Sequence, residues 1–134
     1  FRGNVVIGAG SVAGNSCEFK NSLLFDSVEA PHYNYVGDSI LGYHAHMGAG
    51  SITSNIKSDR KNIVIRTDEG PLETGLRKIG AILGDYVEIG CGTVLNPGSI
   101  VGKNTMIYPL TSVRGPVPAN SIVKSAENIV IKQN

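Results

Sequence analysis

A six-residue period runs through this sequence and leaves few folds open to it. From Leu83 the chain reads LGDYVE, IGCGTV, LNPGSI, VGKNTM, IYPLTS and VRGPVP. The first positions, Leu83, Ile89, Leu95, Val101, Ile107 and Val113, are all aliphatic. The fifth positions, Val87, Thr93, Ser99, Thr105, Thr111 and Val117, are all small or β-branched. Gly84, Gly90 and Gly102 take second positions, with Asn96 at another. A single strand alternates with period two and a helix with period 3.6, so neither produces this pattern. The same register opens at Ile7, Ala13 and Phe19, returns at Leu41 and Met47, and runs into Thr53. The step from Val36 to Leu41 is one residue short, which tightens a corner there.

A hexad is one flat strand plus one turn. Three hexads close a triangular coil of roughly 18 residues, too small to bury its apolar side alone, so coils must stack. Stacked coils lie about 4.8 Å apart, the ordinary strand spacing. First-position aliphatics then point inward in columns, and fifth-position residues fill the narrow corners. Composition agrees: 27 Ile and Val stand against 8 Leu, with 17 Gly. Branched residues favour strands, and that many glycines would weaken helices. The expectation is a single all-β domain over 1–134, a parallel β-helix of hexapeptide repeats. Residues 56–78 (IKSDRKNIVIRTDEGPLETGLRK) carry no hexads but most of the local charge. They are expected to leave the prism as an extruded loop, with a short hairpin around Ile63 to Arg66. Residues 118–134 are expected to add a last strand or two.

Several function classes fall away. The net charge is +1 and no run of like charges exists, so a nucleic-acid footprint is not expected. No stretch approaches the roughly 20 apolar residues of a membrane-spanning helix. Two cysteines, Cys17 and Cys91, make no disulfide framework, and a cytoplasmic setting is expected. The GAG triplets at Gly8 and Gly48 fall in hexad register and read as corners, not phosphate loops. His44 and His46 stand two apart but at different hexad positions. No third ligand stands at matching spacing, so they read as partly exposed coil residues and no metal is expected.

Three cations, Arg2, Lys20 and Lys61, are single and would each pass for solvated surface residues. Lys20 and His32 are two hexads apart, and Arg2 and Lys20 are three. An 18-residue coil would place Arg2 directly against Lys20, a geometric case for a small anion site.

At this point the text resembles a known family. CEFKNS, PHYNYVGDS, HMGAGSITSN, the pair Arg60–Lys61, TGLRKIGAILGD and PANSIV together resemble the acetyltransferase domain of bifunctional glucosamine-1-phosphate N-acetyltransferase / N-acetylglucosamine-1-phosphate uridylyltransferase proteins and their archaeal-type relatives. The resemblance runs over residues 2–123. It implies that the coils wind left-handed, as in other hexapeptide-repeat proteins. It implies an acetyl-CoA-dependent N-acetyltransferase acting on an amino-sugar 1-phosphate. His32 matches the general base and Tyr35 a residue that helps bind the sugar phosphate, both in an H-x-x-Y-x-G-D motif. Arg2 and Lys20 match phosphate-binding cations, Asn55 an asparagine that positions the amino sugar, and Lys61 a lysine of the following loop. Ala49 matches an alanine whose backbone contacts acetyl-CoA. Cys91 stands where the family carries a serine near the coenzyme, and His46 where it carries a substrate-contacting asparagine. The resemblance further implies a homotrimer with active sites between subunits and no metal in the acetyl transfer. The uridylyltransferase half has no counterpart in these residues, so UDP-sugar synthesis is not expected of them. Two other readings stay open: a non-catalytic trimeric scaffold or regulator, and an acyltransferase for another amino sugar.

Overall fold

The computed structural model describes residues 1–133, which leaves only Asn134 of the expected domain outside the described residues. Among the described residues there are strands and turns but no helix. The strands pair parallel, coil upon coil, into three faces of a prism, giving the expected left-handed parallel β-helix. The first face stacks Val5–Ile7, Ser22–Leu24, Ile40–Leu41, Ala81–Leu83, Ser99–Val101 and Pro116–Val117. The second stacks Val12–Asn15, Glu29–His32, His46–Met47, Glu88–Ile89, Met106–Ile107 and Ser121–Ser125, and Asn128–Ile131 folds back antiparallel on its end. The third stacks Glu18–Lys20, Tyr35–Gly37, Ile52–Thr53, Val94–Leu95 and Ser112–Val113.

The hexad positions become the core. Leu24, Leu41, Leu83, Val101 and Val117 form one inward column, Ala30, Met47, Ile89, Ile107 and Val123 the next, and Phe19, Val36, Leu95 and Val113 the third, all buried. Each fully buried Leu or Ile contributes about 1.5–3 kcal/mol relative to exposure. Val28, Ala45, Ser51, Val87, Thr93, Ser99 and Thr105 fill the corners, also buried. The buried hydroxyls are satisfied locally: Ser51 Oγ donates to the Gly48 carbonyl at 2.6 Å and Ser99 Oγ to the Asn96 carbonyl at 2.6 Å. Small polar corner residues therefore carry no orphaned group into the core.

The coil length departs from a uniform 18. Val5 pairs with Ser22, Glu18 with Tyr35, and Leu23 with Ile40, an advance of 17 residues per coil. The short step at Val36 to Leu41 has a twin at Phe19 to Leu24, where Leu23 faces outward and Leu24 inward. Later coils advance 18, as in Ala81 with Ser99, and the last advances 16, as in Ile100 with Pro116. That final tightening turns on Gly115 (φ 67°) and moves Val117 out of the corner position expected of it. Val117 instead pairs with Val101 in the first-face column.

Residues 56–78 leave the prism between the third and first faces. An antiparallel bridge between Ile56 and Lys78 closes the neck. Within the excursion Val64–Thr67 and Gly70–Glu73 form an antiparallel hairpin. Ile63 and Ile65 are buried beneath it. The hairpin lies against Gly98 (φ 80°), where a Cβ would stand 2.9 Å from Ile63 Cγ2. No helix of the described residues is long and apolar enough to cross a membrane.

Candidate active site

Three of the residues singled out in the sequence converge where the third face turns toward the first. Lys20 ends one strand of that face, Tyr35 begins the next, and Asn55 follows Ile52–Thr53 one coil on. They meet on Asp38, which turns the corner in a left-handed conformation (φ 50°). Lys20 Nζ lies 3.3 Å from Asp38 Oδ2, and the two side chains are only 22% and 8% exposed. Asn55 Nδ2 donates to the same oxygen at 2.5 Å and also lies 3.0 Å from Tyr35 Oη. Asn21 Nδ2 donates to Asp38 Oδ1 at 2.7 Å. The Tyr35 ring folds back over its own strand, and a Cβ on Gly37 would stand 2.3 Å from the hydroxyl, so glycine there lets the ring lie where it does.

Burial raises the Asp38 carboxyl, but the hydrogen bonds from Asn21, Asn55 and Lys20 and the Lys20 charge more than offset it. The group is held below its ordinary value of 3.8. Asp38 therefore stays ionised and fixes the Lys20 and Asn55 side chains beside the Tyr35 phenol.

His32, Ala49 and Cys91 lie along a second edge, where the second face turns into the third. The Gly50 N–H donates to the His32 carbonyl at 3.1 Å and the Gly92 N–H to the Ala49 carbonyl at 2.9 Å. The Leu110 N–H donates to the Cys91 carbonyl at 2.9 Å. These bonds stack the three residues on successive coils, all exposed. Asn34, buried inside this edge, fixes it. Its Oδ1 accepts the His32 backbone N–H at 3.2 Å, and its Nδ2 donates to the carbonyls of Gly48 and Ser51 at 2.9 and 3.0 Å. The His32 backbone is thus pinned while its ring faces solvent. Tyr35 follows three residues later on the face that ends at Asp38.

The remaining residues lie apart. His46 stands on the second face, with Nδ1 2.9 Å from Glu88 Oε2. Its neighbour His44 turns a corner (φ 57°) and stacks on Tyr86, ring centroids 5.2 Å apart. Lys61 is exposed in the excursion and its backbone N–H donates to Asp59 Oδ1 at 2.9 Å. The Arg2 N–H donates to the Phe19 carbonyl at 2.8 Å, the bond that elsewhere sets a residue opposite the one after the acceptor, so the Arg2 backbone lies opposite Lys20. Their side chains turn to different carboxylates, Arg2 to Glu18 at 3.3 Å and Lys20 to Asp38 at 3.3 Å, and do not meet on one anion site within the prism. Among the described residues no group of three or more His, Cys, Asp or Glu is placed to hold a metal ion.

Sequence reasoning missed Asp38 and Asn21. Asp38 closes the H-x-x-Y-x-G-D text, and Asn21 precedes it by one 17-residue coil, a signal legible only once the shortened coil is known.

No family model matches this sequence. The bifunctional protein GlmU of Methanococcus maripaludis (strain C5) is 33% identical over 130 residues, 97% of this chain and 31% of that protein. The bifunctional sugar-1-phosphate nucleotidylyltransferase/acetyltransferase of Sulfurisphaera tokodaii is 33% identical over 96 residues, 72% of this chain and 24% of that protein. The chain thus spans about a third or less of the length of these curated relatives. Among solved structures, the acetyltransferase domain of PglB from Neisseria gonorrhoeae, in complex with acetyl coenzyme A, matches with a TM-score of 0.68. It is 18% identical, over 90% of this chain and 48% of that one.

Proposed function

We infer, from its homology to the GlmU-type bifunctional proteins and its hexapeptide-repeat acetyltransferase fold, that this chain moves an acetyl group from acetyl-CoA to the amine of an amino-sugar 1-phosphate. The observation that carries the reading is the Lys20–Asp38–Asn55–Tyr35 cluster, set one strand away from an edge that aligns His32, Ala49 and Cys91.

An amino sugar is mostly an ammonium at neutral pH and cannot attack in that form, so one proton is first lost to solvent and the neutral amine is the nucleophile. The unprotonated His32 imidazole takes the amine proton as nitrogen attacks the thioester carbonyl. The N–C bond forms, an oxyanion develops, and collapse breaks the C–S bond. The proton held on His32 passes to the departing thiolate, so coenzyme A leaves as the thiol. Backbone N–H groups along the glycine-rich edge at Ala49 and Gly50 are of the kind that stabilise such an oxyanion. Lys20 holds the sugar phosphate, Asn55 and Tyr35 orient the ring, and together they convert encounter into alignment. Arg2, His46 and Lys61 complete the substrate contacts, while Ala49 and Cys91 line the coenzyme. The chemistry runs on proton transfer and fixed dipoles and calls for no metal.

The active unit is a homotrimer with sites between prisms. Support comes from the first face, whose outward positions Val6, Leu23, Ile40, Ile82, Ile100 and Pro116 pair in register as one unbroken apolar ladder. The second face presents Glu29, His46 and Glu88 in the same positions.

Thiol release from acetyl-CoA, measured on glucosamine-1-phosphate and galactosamine-1-phosphate, tests the assignment. Turnover is expected on at least one of them, and His32→Ala should lower it by at least about 100-fold with the circular dichroism unchanged. Turnover that survives in His32→Ala removes the base. No turnover on any amino-sugar phosphate leaves a non-catalytic scaffold, and turnover only on another amino sugar relocates the substrate.

A further inference from the structure

The extruded hairpin and the corner beneath it enclose a groove of about 870 Å³ along the edge between the third and first faces. This is the opposite edge of the third face from His32, Ala49 and Cys91. Its charged lining residues are Lys57, Arg66 and Arg114, and no carboxylate lines it. Lys57 has a partner outside the lining, Asp59 at 3.6 Å. Arg66 and Arg114 have none: the ion pairs of the described residues involve other cations.

The two arginines are 48 residues apart in sequence, yet the fold brings them side by side. Arg66 lies on the hairpin strand, and its Cδ stands 3.9 Å from where a Cβ on Gly115 would be, next to Arg114. Two exposed guanidinium groups gathered beside the Lys57 ammonium, whose carboxylate partner lies outside the groove, repel one another, and an anion between them relieves that repulsion. The chain as a whole is nearly neutral at +1, so this is a local concentration of charge rather than a basic surface. Beyond these the groove carries the polar Thr67 and Asn96 and an apolar wall of Ile63, Val64 and the rings of Pro71, Pro97 and Pro116. It is also preformed, since Ile63 and Ile65 are buried beneath the hairpin and Gly98 admits Ile63 where a side chain would not fit. Its size lies in the usual range for a small-molecule site, roughly 300–1,000 Å³.

We propose that this groove binds a nucleoside diphosphate, with the diphosphate between Arg66, Arg114 and Lys57 and the base against the proline and isoleucine walls. Arginine's planar donor fork suits phosphate oxygens held bidentately, and the flat apolar walls suit a ring. Two sources carry this chemistry: the adenine-nucleotide end of the coenzyme and the nucleotide of a nucleotide-linked sugar. The inference does not depend on acetyl transfer, because it is read by direct binding.

Calorimetric titration of the full chain with ADP, UDP and inorganic phosphate at low salt tests it. At least one nucleotide should bind saturably and more tightly than inorganic phosphate. The double variant Arg66→Ala/Arg114→Ala should weaken that binding by about tenfold or more, while Arg66→Lys/Arg114→Lys retains part of it. Lys103→Ala/Lys124→Ala, which lowers net charge equally away from the groove, should leave it unchanged. Tighter ADP assigns the groove to the coenzyme end, and tighter UDP to a uridine nucleotide. No saturable nucleotide binding, phosphate binding as tight as either nucleotide, or affinity unaltered in the Arg66→Ala/Arg114→Ala protein overturns the proposal.

Discussion

Asp38 shows how one side chain can fix several others at once. Its two oxygens accept three hydrogen bonds, from Lys20, Asn55 and Asn21, so none of those groups can reorient without leaving a nearly buried carboxylate short of donors. Replacing it by Asn keeps the shape but puts an NH2 against donors that need an acceptor. Asp38→Asn should cost about 1–3 kcal/mol near neutral pH, read from the urea midpoint. The loss should also depend on pH. The folded carboxyl lies below 3.8, its ordinary value, so near and below that pH the unfolded chain binds more protons than the folded one. The carboxylate's contribution is complete above 3.8 and disappears as pH falls through the folded value. Wild-type and Asp38→Asn midpoints should therefore keep a constant gap well above pH 3.8 and converge as the pH falls below it. A gap that stays constant there as well would show that Asp38 acts through packing alone.

Elements in this chain are two or three residues long, so the coil rather than the strand is the working unit. Coils approach so closely that some corners admit only glycine. A Cβ on Gly90 would stand 2.4 Å from Pro109 N and 2.7 Å from the Ile107 carbonyl oxygen, atoms that cannot swing away. Gly90→Ala should destabilise by about 1–3 kcal/mol, whereas Gly3→Ala, with nothing within 4 Å of its new methyl, should stay within about 0.5 kcal/mol. Equal urea midpoints for the two variants would refute the close-crossing account. The core was legible because a repeat writes its inward positions into every hexad: Leu83, Ile89, Leu95 and Val101 could be read one by one, and all are buried. Coil length was not legible to the same degree. At Leu23–Leu24 two leucines stand together, and composition cannot say which faces inward. That single ambiguity shifted the coil from 18 to 17 and hid the Asn21–Asp38 contact. Tyr35, Asn55 and Lys20 were found through motif text, but their common partner emerges only from coil register.

At the scale of the whole molecule, the three faces of the prism are unlike one another, and the difference bears on assembly. A monomeric protein leaves single apolar residues exposed without consequence, but a registered ladder is a contiguous patch. The first face runs Val6, Leu23, Ile40, Ile82, Ile100 and Pro116, with Val6 61% exposed and Ile40 39% exposed. Asp38 lies beside Ile40 in a groove of about 420 Å³ that also takes in Asn21 and Ile82, so whatever covers the ladder also borders the Lys20–Asp38–Asn55 cluster. A second copy of the same prism, flat and apolar on the same face, fits that role, and three copies around one axis give closed symmetry. Light scattering after size exclusion should therefore give three times the 14.1 kDa chain mass. Ile82→Glu places a charge in the middle of the ladder, where an unpaired buried carboxylate is costly. The variant should run as a 14.1 kDa monomer with its β-sheet circular dichroism intact and its acetyl transfer lost. A wild-type monomer would rule out the trimer altogether. An Ile82→Glu trimer would move the interface to another face. An active Ile82→Glu monomer would show that each prism holds a complete site of its own.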